Sequence, residues 1–228
     1  MVGGRCAKKC ACKLDAPGDH AAACPKSGRL KLRSIPLERI WRRIFREAGA
    51  RVRDDVLLAD TALPNIDPAD GRKIEIVATG LPIQHGIPVG VDITMVSPLH
   101  ADGTPFPEAA TTPGSAFKRA IKKKHDTYPE MVDSDILRLM VIALETGGRM
   151  NRTALEFLDQ AAAAKARSAP GPLRASMARV WRSRWVTMAS IAAQDALAAT
   201  LIQNGEQQLD GADGSESLAG EAWIDGGA

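Results

Sequence analysis

Residues 72–96, RKIEIVATGLPIQHGIPVGVDITMV, read as two strands joined by a tight connection over 80–88, and each strand carries one acid, Glu75 on the first and Asp92 on the second. Glu75 stands between Ile74 and Ile76, and Asp92 between Val91 and Ile93. Side chains alternate faces along a strand, so each carboxylate lies opposite its apolar neighbours. Antiparallel pairing of the two strands brings the carboxylates close together. Two carboxylates held together repel, and the repulsion is relieved by a raised pKa or by a divalent cation between them. A metal site is one expectation for this pair. The other is a solvated sheet face on which neither acid does chemistry.

C-terminal to the pair, a long loop over 97–114 leads to a helix from about Ser115. Phe117, Ala120 and Ile121 form its inward stripe, and Lys124 falls on that stripe at helical spacing, with Tyr128 one turn further. A lysine on the packed side of a helix needs a partner, and Glu75, Asp92 or a substrate phosphate would serve. A Lys124 reaching solvent along the helix end is the alternative. Lys118, Arg119, Lys122 and Lys123 point elsewhere and read as solvated or DNA-facing. Residues 136–144, ILRLMVIAL, make an apolar run of strand length, expected to be central or well covered in a sheet. Helices over roughly 152–167 and 172–203 then form a structural cap.

N-terminal to the pair, Val52, Val56 and Leu57 mark a strand over 51–58. Before it, Pro36 opens a helix whose stripe of Leu37, Ile40, Trp41, Ile44, Phe45 and Ala48 packs inward, and Gly49 stops it. Arg39, Arg42, Arg43 and Arg46 line its other side, either as a solvated face or as a grip on phosphate. Glu38, near the start of this helix, is a candidate third carboxylate. Residues 26–34, KSGRLKLRS, read as a basic linker.

All four cysteines fall within residues 6–24, as C-x3-C-x-C-x11-C, and His20 stands four residues before Cys24. In a reducing compartment such clustering points to zinc, because thiolates and an imidazole make a closed tetrahedral site. Cys24 and His20 are firm ligands. Cys6, Cys10 and Cys12 compete for the other two places, with Cys6 and Cys10 favoured because C-x-C is a cramped chelate for one tetrahedral ion. So small a segment has little core, and metal would supply most of its folding energy.

With 45% hydrophobic and 25% charged residues over a length of 228, the composition is that of a globular chain large enough for a real core. No apolar run approaches a membrane span, and MVGGRCAKK lacks the apolar centre of a secretory signal, so an intracellular setting is expected. The net charge of +3 hides an asymmetry: residues 1–53 hold 14 Lys and Arg against four acids, which suits a polyanionic partner. Residues 204–228 carry six acids and no base among Gly, Ser and Ala, and read as a disordered acidic tail.

The order helix, three strands, helix, strand, with acids on the second and third strands and a lysine on the second helix, resembles the αβββαβ core of the PD-(D/E)XK nuclease superfamily. A narrower likeness lies in LDAPGDHAAAC at 14–24, REAGARV at 46–52, DGRKIEI at 70–76, VDITMVSPL at 91–99, KKKHDTYPE at 122–130 and ETGG at 145–148. These resemble the restriction-like endonuclease region found downstream of the reverse transcriptase in site-specific non-LTR retrotransposons, over about residues 6–203. The resemblance implies that Glu75 and Asp92 are the catalytic carboxylates and Lys124 a catalytic lysine moved from the strand to the helix, with Tyr128 beside it. Two departures stand out. Arg72-Lys73-Ile74-Glu75 replaces the family's R-P-A-D, and Thr94 takes the usual lysine place. No aspartate pair of the reverse-transcriptase kind is evident, which leaves a fragment of a decayed element, a separate piece or a repurposed domain.

The expected class is therefore α/β with a mixed sheet: a zinc knuckle at 1–25, a restriction-endonuclease-like core at 35–147, a helical cap at 151–203 and the tail from 204. The implied function is metal-dependent phosphodiester hydrolysis, with Zn²⁺ structural at Cys6, Cys10, His20 and Cys24 and Mg²⁺ catalytic at Glu75 and Asp92. Double-stranded DNA is the implied partner, gripped by Arg39, Arg42, Arg43 and Arg46, with a reverse transcriptase domain or element RNA as further partners and the nucleus as location. A zinc-dependent DNA-binding module with a dead nuclease site competes with it, supported by the longer acid at Glu75. A scaffold with no nucleic-acid role leaves the basic front end unexplained.

Overall fold

A computed structural model describes residues 6, 10, 12, 18–27, 29–83 and 86–209. Its core is a four-stranded mixed sheet in the order β1 (Arg51–Leu57), β2 (Lys73–Thr79), β3 (Val89–Val96) and β4 (Arg138–Glu145). β1 pairs antiparallel with β2, and β2 with β3, while β4 runs parallel to β3. A parallel neighbour requires a crossover. It is supplied by α3 (Ser115–Thr127), so the chain runs helix, three strands, helix, strand from α2 (Ser34–Glu47) onward. The architecture is α/β with a mixed sheet, as expected.

One face of the sheet carries the main core. Ile76, Ala78, Val91, Ile93, Met140, Ile142 and Leu144 pack there against α2, α4 (Arg152–Lys165) and α5 (Arg174–Leu209). The stripe of α2 is buried as its spacing requires: Leu37, Trp41, Ile44 and Phe45 are at most 1% exposed. Phe45 and Phe157 lie 4.5 Å apart between ring centroids, with Trp41 against both. Each such ring contributes roughly 1.5–3 kcal/mol by leaving water. Gly49 follows α2 at φ 104°, a conformation that costs a side-chain-bearing residue more. Asn151 caps α4 by accepting from the Ala154 amide at 3.2 Å.

A second cluster lies around the β1–β2 end, where Val56, Leu58, Ile74, Val77 and Leu137 meet Tyr128 and Met131 just beyond α3. α3 packs on β3 and β4. This places the helix that carries Lys124 over the strand that carries Asp92.

Three expectations need correction. α2 begins at Ser34, two residues before Pro36, because proline is tolerated anywhere in the first turn, where its missing N–H has no partner to lose. The stretch over 26–34 is no loose linker: 3₁₀ turns form at Pro25–Ser27 and Arg29–Arg33, and Arg33 is only 4% exposed. Its guanidinium donates to the Thr200 hydroxyl at 3.1 Å and to the Ala22 carbonyl, tying the Cys/His segment to α5. β4 stands at the sheet edge and is well covered, as one of the two expectations for its apolar run had it, with α3 and α4 both packed on it. α5 runs through Leu209, so 204–209 are helical; the remainder of the expected tail, 210–228, lies outside the described residues.

Candidate functional site

Cys6, Cys10, His20 and Cys24 converge, each offering a ligand atom within 4.8 Å of the others. Cys10 Sγ is 3.3 Å from His20 Nε2 and 3.5 Å from Cys24 Sγ. α1 (Asp19–Ala23) carries His20 inward, and its Nδ1 is 2.7 Å from the Ala101 carbonyl, which fixes the ring with Nε2 aimed at the thiols. Cys12 is exposed and stands outside the group, although its carbonyl accepts from the Cys6 amide at 2.9 Å. Burial and the neighbouring thiols push Cys6 up to about 12. The Cys12 amide, then Cys24, Cys12 and His20, hold Cys10 down to about 6. Three sulfurs and one imidazole are the donor set of a closed structural zinc site, and the group is placed to hold one metal ion.

The acidic pair also converges. The β2–β3 ladder is formed at Ile76↔Val91 and stops one residue short of Glu75 and Asp92. Beyond that point the Glu75 carboxylate takes over from the backbone, accepting the Ile93 amide at 2.7 Å. Asp92 is 1% exposed, which excludes the solvated face for that acid. Lys124 reaches it from α3, with Nζ 2.8 Å from Oδ2 and 2.6 Å from Oδ1. Lys124 thus engages both oxygens of this buried carboxylate, the closer contact being to Oδ1.

Burial, then the charges of Asp92 and Glu38, push Glu75 up to about 8 against the pull of the Ile93 amide and Lys124. Burial also raises Asp92, while Lys124 and Tyr128 draw it back. Both carboxyls are thus raised by burial, and Lys124 opposes the rise at each. Glu38, which sequence reasoning had placed only as a candidate, is near enough for its charge to be felt at Glu75. Across the ladder, Asp55 lies between the pairs Asp54↔Ile76 and Val56↔Ile74, opposite Glu75, and holds a left-handed backbone at φ 50°.

Tyr128 caps α3, and its hydroxyl donates to the Lys73 carbonyl at 2.7 Å, two residues before Glu75. Burial and the Asp92 and Glu75 charges raise its pKa well above the usual phenol value. Arg72, absent from the expected site, holds the same junction. It forks onto Asp70 at 2.6 Å and Glu130 at 2.7 Å and donates to the Thr127 carbonyl. The start of β2 is thereby fastened to the end of α3, which sets the distance between Glu75 and Lys124.

The arginines of α2 separate into two kinds. Arg42 bridges Glu38 at 2.7 Å and Asp54 at 3.1 Å, and so belongs to the acidic side of the site. Arg43 pairs with Glu47 at 2.9 Å and Arg46 with Asp54 at 3.5 Å, both from exposed positions. Arg39 is exposed and makes no ion pair among the described residues. Beside Lys124, a cleft of about 490 Å³ is lined by Thr94, Arg119, Lys123 and Thr127. Arg119 stacks on Phe106 at 3.3 Å from the ring centroid. Among the described residues no helix is long and apolar enough to cross a membrane.

No protein-family model matches this chain, and no curated protein matches it either. The site rests on its own geometry: a Cys/His group at one place, and Glu75, Asp92 and Lys124 with Tyr128, Glu38 and Arg72 at another.

Proposed function

We propose that the chain is a metal-dependent endodeoxyribonuclease of the restriction-like kind, with a zinc-stabilised N-terminal segment. The observation that carries this is the meeting of Lys124 with buried Asp92, beside a Glu75 whose carboxyl is pushed up to about 8. Two acids and a lysine on adjacent strands and a crossing helix are what phosphodiester hydrolysis needs, and the resemblance to the retroelement nuclease region falls on the same three residues.

Hard carboxylate oxygens at Glu75 and Asp92 suit Mg²⁺. Bound there, it would supply a lowered water pKa and charge neutralisation at the phosphate. Asp92 and Glu75 would hold the ion beside the reacting phosphate, each through a carboxylate oxygen. Lys124 is positioned to leave Asp92 and meet the negative charge that grows in the transition state. Tyr128 and Arg72 are positioning residues that keep α3 against β2. Arg119 and Lys123 line the adjacent cleft and suit the flanking phosphates. Double-stranded DNA is the proposed partner, with a reverse transcriptase domain or element RNA beside it, and a nuclear location would follow from a chromosomal target.

A second reading is favoured by one observation. Lys124 already neutralises Asp92, and among the described residues only the Cys/His group brings three or more ligand side chains within reach of one ion. A chain that keeps its lysine there permanently is a zinc-dependent DNA-binding module with a silent site. Magnesium-dependent nicking of supercoiled plasmid, present in the wild type and absent in Asp92→Ala, separates the two.

A further inference from the structure

An apolar groove runs between α2 and α5, with a volume of about 880 Å³, floored by Ile35, Ile40, Met188, Ile191 and Ala192 and rimmed by Arg39, Arg43 and Arg46. Ile35 is 62% exposed and Ile191 57% exposed, which is much apolar side chain to leave in water across one cleft. Its rim holds these three arginines against two acids, Glu47 and Asp195: Arg39 makes no ion pair among the described residues, and the side chains of Arg43 and Arg46 are 59% and 56% exposed in spite of their partners. The groove thus asks for an occupant that is apolar at its centre and acidic at its edges.

The chain contains such a segment. Residues 210–228 carry five acids and no base, and one apolar triplet, Ala222-Trp223-Ile224, flanked directly by Glu221 and Asp225. We propose that this segment docks in cis into the α2–α5 groove, with Trp223 and Ile224 in the cleft and Glu221 and Asp225 facing the three arginines. Reach is sufficient. The groove residues of α5, Met188 to Ala192, lie about 25–32 Å back along the helix from Leu209. Trp223 is fourteen residues past Leu209 and can extend up to about 46 Å.

Tethering also lowers the affinity required, since joining two sites in one chain gives an effective concentration on the order of millimolar. A contact of only about millimolar strength between separate molecules would therefore fill the groove in a large share of the chains. The docked segment would cover the α2 arginines and compete with any polyanion for them. Docking at the groove is independent of the chemistry at Glu75 and Asp92.

Amide hydrogen exchange on the full chain tests the proposal. Amides of 221–226 should exchange roughly tenfold or more slowly than in Ile191→Glu, with matching protection lost at 35–46 in Trp223→Ala. Ile191 is exposed, so Ile191→Glu should keep the wild-type Tm and report on the groove alone. Restoration of protection when Arg39→Glu is combined with Asp225→Arg would add the charge pairing. Unprotected exchange of 221–226 in the wild type overturns the proposal. Protection that vanishes on dilution overturns it too, because the contact would then join two copies.

Discussion

Lys124 Nζ stands 2.6 Å from Oδ1 of Asp92, and that lysine side chain is the only cation bound to an aspartate that is 1% exposed among the described residues. Removal of the lysine leaves a buried charge with little compensation. Lys124→Met should lower unfolding stability by about 1–3 kcal/mol, and pairing it with Asp92→Asn should return part of the loss. Urea midpoints of the four proteins check this. Equal midpoints for wild type and Lys124→Met would contradict the ion pair.

Metal analysis addresses the Cys/His group. The purified protein should hold about one Zn²⁺, closed by four ligands. Cys24→Ser should release most of it, while Cys12→Ser should keep it, because Cys12 lies outside the group. Chelation should also loosen 97–106, through loss of the His20 anchor on Ala101. Full zinc in Cys24→Ser would refute the ligand assignment.

Glu47 makes acid stability predictable. Arg184, then Trp185 and Arg43, hold its carboxyl down to about 2 from an ordinary 4.5. A folded-state pKa below the unfolded one adds stability above the unfolded value, and that stability is lost as pH falls from about 4.5 towards 2. Glu47→Gln should cost about 1–2 kcal/mol at pH 7, and its deficit against wild type should shrink steadily below pH 4.5. A deficit of constant size from pH 7 to about pH 2.5 would contradict the assignment.

The α2 arginines should divide by their partners. Arg39→Gln should flatten the salt dependence of duplex binding by roughly one unit of slope. Arg42→Gln should instead lower stability and leave the slope alone, since Arg42 is spent on Glu38 and Asp54. Titration of each variant over a range of salt gives both answers. An unchanged slope for Arg39→Gln would move the phosphate contacts to α3, where Lys122 and Lys123 make no ion pair among the described residues.

Much of the site was legible because it follows local periodicity. Alternation placed Glu75 and Asp92 between buried neighbours, and helical spacing put Lys124 on the face of α3 that meets β3. Spacing within nineteen residues likewise picked out Cys6, Cys10, His20 and Cys24. What stayed hidden depends on partners far along the chain. Arg72 gains its role from Glu130, and Arg33 from Thr200, and nothing beside either residue distinguishes it from a solvated arginine. The ion pairs of Arg42 were hidden for the same reason: its partners include acids of β1, and helix position alone cannot show that β1 passes there. The last helix, expected to end at 203, continues to Leu209.

Plasmid nicking tests the central claim most directly. With Mg²⁺ or Mn²⁺ present the wild type should convert supercoiled plasmid to open circles, and without divalent metal it should not. Asp92→Ala should abolish nicking. Lys124→Ala should slow it by about 10²–10³-fold while leaving DNA affinity within about twofold, as expected of a group that acts on the transition state. Equal nicking by wild type and Asp92→Ala in the same preparation would contradict the account, and so would a wild type that binds duplex but never cuts.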